Sequence, residues 1–211
     1  MKWTKREFIV EVMVGLFFLT AGIVATYYAN IFTTAHASSV VTDVILDNLP
    51  VINVNFIFTD GASIFFVILF LLALREPRRL PFMLKSIALF ILIRSVFMML
   101  THYAPPEVHS YLDISGFLYR LSSGDDLFFS AHAGLPFMLA FVFWDETILR
   151  YFFLVCSAIG AGAVLLGHLH YSIDVFSAFF IAFGIFHITK HIFKRDYEML
   201  REGVFVSSVA A

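Results

Sequence analysis

Six apolar runs, at residues 8–29, 56–74, 82–100, 127–144, 151–168 and 173–188, govern what this chain can fold into. Each approaches the ~20 residues a helix needs to cross the hydrocarbon core of a bilayer. Inside that core only a helix or a closed barrel satisfies its own backbone hydrogen bonds. The expected fold is therefore an all-α integral membrane protein with six transmembrane helices. The residue balance agrees, with 60% hydrophobic and 14% charged residues, against roughly a quarter charged in a soluble domain. Six spans and their connections take up the 211 residues, so 1–211 reads as a single transmembrane domain. The basic and then apolar N-terminus reads as a retained first helix, because no clear small-x-small cleavage site follows it. Cys156 lies in an apolar run and reads as a packing residue.

The basic residues give the spans a direction. Lys2, Lys5 and Arg6 precede the first run, Arg75, Arg78, Arg79 and Lys85 surround the second connection, Arg150 falls in the fourth, and Lys190, Lys194, Arg195 and Arg201 follow the last. These are alternate connections. The opposite set, at 30–55, 101–126 and 169–172, holds Arg120 as its one Lys or Arg. By the positive-inside rule both termini are expected in the cytoplasm.

Ionisable side chains in or beside a span are costly and face a cavity or a partner by default. Five of them sort to one depth. With the third helix running outward from Lys85, Arg94 lies in its outer half, roughly 14 Å below its exit near Tyr103 at ~1.5 Å per residue. His132 opens the fourth helix, His170 ends the fifth and Asp174 opens the sixth, all on the outer side, and Asp126 just precedes His132. If helical, His170 and Asp174 are an i, i+4 pair on one face. A carboxylate on one imidazole nitrogen fixes the tautomer and leaves the other as nucleophile or base. A second histidine is suited to protonate a leaving alkoxide, and a buried arginine offers a fork of donors to phosphate oxygens. Asp60 suits a hydrogen bond between helices, and Glu11, near the cytoplasmic end, suits snorkelling.

The spacing also resembles a known family. Asp126, Ser130 and His132 keep the order of the Cys-Gly-Asp-x3-Ser-Gly-His-Thr motif of sphingomyelin synthases, and His168, His170, Tyr171, Asp174 and Val175 are similar to that family's His-x-His-Tyr-Thr-x-Asp-Val. Arg94, Met98, Thr101 and Pro106 match the spacing of a third family motif. These enzymes form a branch of the type 2 phosphatidic acid phosphatase superfamily, and the resemblance covers roughly 94–178. It departs at Gly124 and Asp125, which replace Cys-Gly, and at Ala131 and Ala133 around the histidine. The Ser-Arg of ordinary lipid phosphatases is also missing, with Val164 in the place of its arginine.

The resemblance implies a ping-pong transfer. His170, oriented by Asp174, would attack a glycerophospholipid and carry its phospho-head-group. His132 would protonate the departing oxygen and then deprotonate an incoming hydroxyl, from a lipid alcohol such as ceramide or from water. Arg94, Asp126 and Ser130 would bind phosphate or head-group, with Asp125, Glu107, Asp113 and Tyr171 as possible assistants. His168 faces away from the pair in a regular helix and reads as structural. No metal or cofactor is implied; the partners are a phospholipid donor, the acceptor and the bilayer, and no nucleic acid. The site would face the periplasm, the exterior or a lumen. A lipid phosphatase or phospholipase C-like hydrolase is the nearest alternative, and a transporter lined by these polar residues is the alternative of another class. Haem ligation leaves Arg94 and the aspartates unexplained, and no zinc-hydrolase spacing such as HExxH occurs.

Overall fold

The computed structural model describes residues 4–101, 103–110 and 127–208. Among them are seven α-helices and no strand: α1 (Lys5–Ala35), α2 (Gly61–Arg75), α3 (Leu80–Leu100), α4 (Ala131–Val142), α5 (Thr147–Leu166), α6 (Ser172–Ile192) and α7 (Lys194–Ser208). A π-helical turn, Phe56–Asp60, leads into α2. Five stretches are long and apolar enough to cross a membrane, namely Lys5–Ala35, Phe56–Arg75, Pro77–Leu100, Thr147–Leu166 and Ser172–Ile192.

The fourth expected span is shorter than its hydropathy suggests. Of the run 127–144, only the 12 residues of α4 are helical, about 18 Å of helix against a ~30 Å core. The preceding residues form a bend in which Phe128 takes a positive φ of 88°. Hydropathy counts apolar residues, and here several of them make a turn. The fifth helix likewise stops early. It ends at Leu166 with Gly167 as C-cap, so His170 lies in the connection and not on a helix.

α3 is the central element. Its apolar surface is buried around most of its circumference, whereas α1 and α2 leave most of theirs outward. α1 packs along α3 through small residues. A Cβ on Gly15 would stand 2.9 Å from Leu84 Cβ, and one on Gly22 would stand 3.2 Å from Ile91 Cγ2. That closeness is how helices gain packing where no hydrophobic force draws them together. Thr26 and Ser95 hydroxyls add a 2.9 Å hydrogen bond across the pair.

α4 inserts between α3, α5 and α6, where Ser157 Oγ donates to the Ala133 carbonyl at 2.7 Å. α2 stands off from α1 and α3, and the space between them is a cavity lined by Leu19 and Ile23 of α1, Leu69 and Phe70 of α2, and Ile87 and Ile91 of α3.

The connections segregate to two ends. At one, Arg79 bonds Glu76 and Glu146, Arg195 bonds Glu7, and Lys85 bonds Glu11 and Asp196. Among the described residues this end holds most of the Lys and Arg, on the connections that the sequence marks as basic. Glu11, expected to snorkel, accepts from Lys85 at 2.6 Å instead. At the other end the loops knit through their backbones: Ala104 N–H to Ser39, Ile52 N–H to Leu166 and Ser110 N–H to Gly167. Asp60, at the head of α2, is exposed.

Candidate active site

The second, loop-knit end is where the polar residues gather. Arg94 of α3, His132 of α4 and His170 of the α5–α6 connection line one cavity of about 560 Å³, whose other walls are largely apolar. Each arrives there for a local reason.

Asp174 organises the start of α6. Tyr171 is the N-cap, and its N–H donates to Asp174 Oδ2 at 3.0 Å, which closes a capping turn. His170 Nδ1 stands 3.4 Å from the same Oδ2, at the long end of hydrogen-bond range. The expected pairing of His170 with Asp174 is thus present, but the N-cap turn makes it and not a shared helical face. Tyr103 donates its hydroxyl to Asp174 Oδ1 in a short hydrogen bond. With both oxygens occupied and no solvent exposure, Asp174 has one orientation. Burial, first, and the adjacent Asp174 carboxylate hold the Tyr103 hydroxyl well above the ordinary tyrosine range. Tyr103 therefore stays a neutral donor at any working pH.

His132 sits in the first turn of α4, whose N-cap is Ser130. Pro136 lies four residues on and has no N–H to give the His132 carbonyl, as an interior helix proline must. Gly160 of α5 packs against that carbonyl, and a Cβ there would stand 2.3 Å from the oxygen. The π-helical turn before α2 lays Phe58 on the imidazole, with centroids 3.9 Å apart and planes at 24°. A π-turn inside a span is a frequent mark of a functional position.

Arg94 is buried, with Nε donating to the Phe129 carbonyl at 3.0 Å and Nη1 3.1 Å from Met98 Sδ. The left-handed Phe128 turns the chain just before that carbonyl, at a cost on the order of 1–3 kcal/mol for a residue with a Cβ. His168 is the other non-glycine described residue with positive φ, at 52°. Its ring approaches the Leu49 carbonyl at 3.2 Å, and it does not line the cavity.

The remaining expected residues divide. Ser130 is fully buried, its N–H donates to the Asp174 carbonyl at 3.1 Å, and its Oγ has no hydrogen-bond partner among the described residues. Tyr171 is buried beside the site but faces the loops, donating to Ala104 O and accepting from Val41 N. Glu107 is exposed. Asp113, Asp125 and Asp126 lie outside the described residues.

Sequence reasoning missed three neighbours. Tyr103 reads as an interfacial aromatic at a helix exit, and Phe58 as one of 27 phenylalanines. Asp43, in a loop more than a hundred residues before α6, accepts from Ser172 N at 2.6 Å and from Ile45 N and Leu46 N. Burial pushes its carboxyl up, but these N–H groups outweigh that and hold it below the ordinary aspartate range. It thereby ties the first outer loop to the turn that carries His170 and Asp174.

Chemically, the arrangement offers two imidazoles and a guanidinium around one apolar space, with one imidazole backed by a fixed carboxylate.

Residues 124–192 match the family model "PAP2 superfamily C-terminal". The matched stretch takes in α4, α5 and α6, and with them His132, His170 and Asp174; Arg94 lies outside it. It supports the type 2 phosphatidic acid phosphatase superfamily, whose members are generally lipid phosphatases or phosphotransferases. An enzyme acting on lipids within a bilayer fits that match and the apolar helices together. No curated protein and no solved structure matches the chain.

Proposed function

We propose that this protein is a membrane lipid phosphotransferase that moves a phospho-head-group from a glycerophospholipid to a lipid alcohol, such as ceramide, through phospho-His170. The observation that carries the reading is the convergence of Arg94, His132 and His170 on one apolar cavity. In the first half-reaction His170 Nε2 attacks phosphorus while Nδ1–H points to Asp174. The bond from phosphorus to the lipid oxygen breaks, and His132 delivers a proton to that oxygen. In the second half, His132 takes the proton of the incoming hydroxyl, its oxygen attacks phosphorus and the phosphorus–nitrogen bond breaks. Arg94 and the Ser130 hydroxyl hold the phosphoryl oxygens, where preorganised donors act most strongly in a site short of water. The 3.4 Å approach of His170 to Asp174 shortens as positive charge develops on the ring.

This reading includes six spans, the fourth made by α4 together with the apolar bend before it, both termini in the cytoplasm and the site on the opposite face. The charge-rich end and the histidine end are separate in the fold, which supports it. Asp126 belongs in the proposal as a partner of His132 or of a cationic head-group. Water as the acceptor, giving a phosphatase or phospholipase C-like hydrolase, needs the same residues. The apolar walls of the cavity favour the lipid alcohol.

The test is to incubate purified protein in vesicles with head-group-labelled phospholipids, with and without ceramide, and to separate the products. Label moving to a new lipid only when ceramide is present is expected. Label appearing only in water-soluble phosphate or phospho-alcohol would sink the transferase reading in favour of the hydrolase.

A further inference from the structure

A second cleft of about 270 Å³ lies on the other side of α2, against α4 and α5. Like the larger cavity, it has mainly apolar walls and reaches His132. Unlike it, this cleft touches neither Arg94 nor His170. The two share a rim made by Ala62 and Phe66 of α2 and by Ala131, His132 and Leu135 of α4. Beyond that rim α2 and the π-helical turn before it divide them. Ile57, Gly61 and Phe65, spaced four apart, face the small cleft alone, while Thr59, Ser63 and Phe70 face the large one.

The clefts are unequal. The larger follows α3 from Arg94 back to Leu80, about 21 Å of helix and more than the ~15 Å half-thickness of a bilayer core. The smaller stays near the shared rim and ends among Cys156, Ile159 and Gly160 of α5.

Resting on the lipid phosphotransferase reading, we infer that the substrate is a two-chain lipid whose chains straddle α2. One chain lies along α3 and the other enters the small cleft beside α5. The phosphate at Arg94 and His170 and the ester oxygen at His132 fix where the chains part, and the shared rim is at that place. Small residues at the rim, Ala62 and Ala131, leave the room a branching glycerol or sphingoid backbone requires. A single-chain lipid phosphate fills the larger cavity and leaves the smaller one vacant. The protein therefore distinguishes lipids by chain number through a surface that bears none of the phosphate-binding groups.

The experiment compares a diacyl phospholipid with its one-chain lyso form, carrying the same labelled head-group, in wild type and two small-cleft variants. Ile159→Trp fills the cleft from α5. Gly61→Leu fills it from α2, where a Cβ meets nothing closer than 3.8 Å. Either is expected to lower kcat/KM for the two-chain lipid roughly 10-fold or more, with turnover of the lyso lipid within about 2-fold, a margin far below that expected loss. Ala73→Phe, at the far end of the larger cavity, is expected to shift both lipids toward shorter chains. Variants that lower both lipids equally, or neither, overturn the inference while leaving the functional reading in place. A wild-type protein that turns over no phospholipid overturns both.

Discussion

α3 carries two buried cations, Lys85 and Arg94, nine residues apart and so roughly 14 Å along one axis, and the protein treats them in opposite ways. Lys85 is 3% exposed and held by two carboxylates, Asp196 at 2.5 Å and Glu11 at 2.6 Å. Its charge is consumed in joining α1, α3 and α7. Arg94 is 6% exposed, yet it lines a cavity beside two histidines and gives Nε to a backbone carbonyl. In the proposed reading Lys85, closed off by carboxylates, is architecture, whereas Arg94, which borders an open volume beside two imidazoles, meets the lipid phosphate.

The sharpest break of that comparison is Lys85→Met. It leaves two carboxylates facing each other without their cation and should cost about 3–5 kcal/mol of stability, read by thermal unfolding in detergent. Turnover per folded molecule should hold. A stable variant with lost turnover would reverse the assignment of the two ends.

Arg94→Lys is the mirror experiment. It keeps the charge and loses the planar fork, so stability should change little while kcat/KM falls about 10²-fold, the scale of one lost transition-state donor. Unchanged kinetics would make Arg94 architectural too.

A smaller effect is expected at Asp43. Asp43→Asn should cost about 1–2 kcal/mol, the usual worth of hydrogen bonds to a charged acceptor. Because the folded carboxyl lies below its ordinary range, its contribution is complete above the unfolded value, ~3.9. It fades as pH falls through the lowered folded value. Wild type and variant should then differ at neutral pH and converge in acid, as followed by denaturation at each pH. A difference that grows in acid contradicts the capping role.

The smallest effect expected is Tyr103→Phe, about 10-fold in kcat, with KM for the lipid unchanged, because it fixes Asp174 without touching substrate. A rise in KM alone would place Tyr103 against the lipid instead.

These contrasts also show what the sequence could reveal. The bundle's spans were legible because hydropathy reports burial in lipid directly, and Arg94, His132 and His170 could be grouped because helix direction converts position into depth. Lys85 was not legible as a structural charge. Beside a basic connection it counts like any interfacial lysine, and its partner Asp196 comes from 111 residues away. Tyr103 and Asp43 escaped for the same reason, since their partners on the α6 turn are joined to them by tertiary packing alone. The length of α4 escaped because a turn of apolar residues has the hydropathy of a helix. The pairing of His170 with Asp174 was expected from helical periodicity, yet a capping turn brings the same two residues together.

In the proposed cycle His170 is the covalent carrier. Purified protein should be mixed with a head-group-labelled phospholipid, quenched in alkali within one turnover and digested for mass spectrometry. A phosphoryl head-group adduct is expected on His170, forming and decaying at the rate of turnover and absent, with turnover, from His170→Ala. Full turnover by that variant, or turnover in wild type with no adduct on His170, would contradict it.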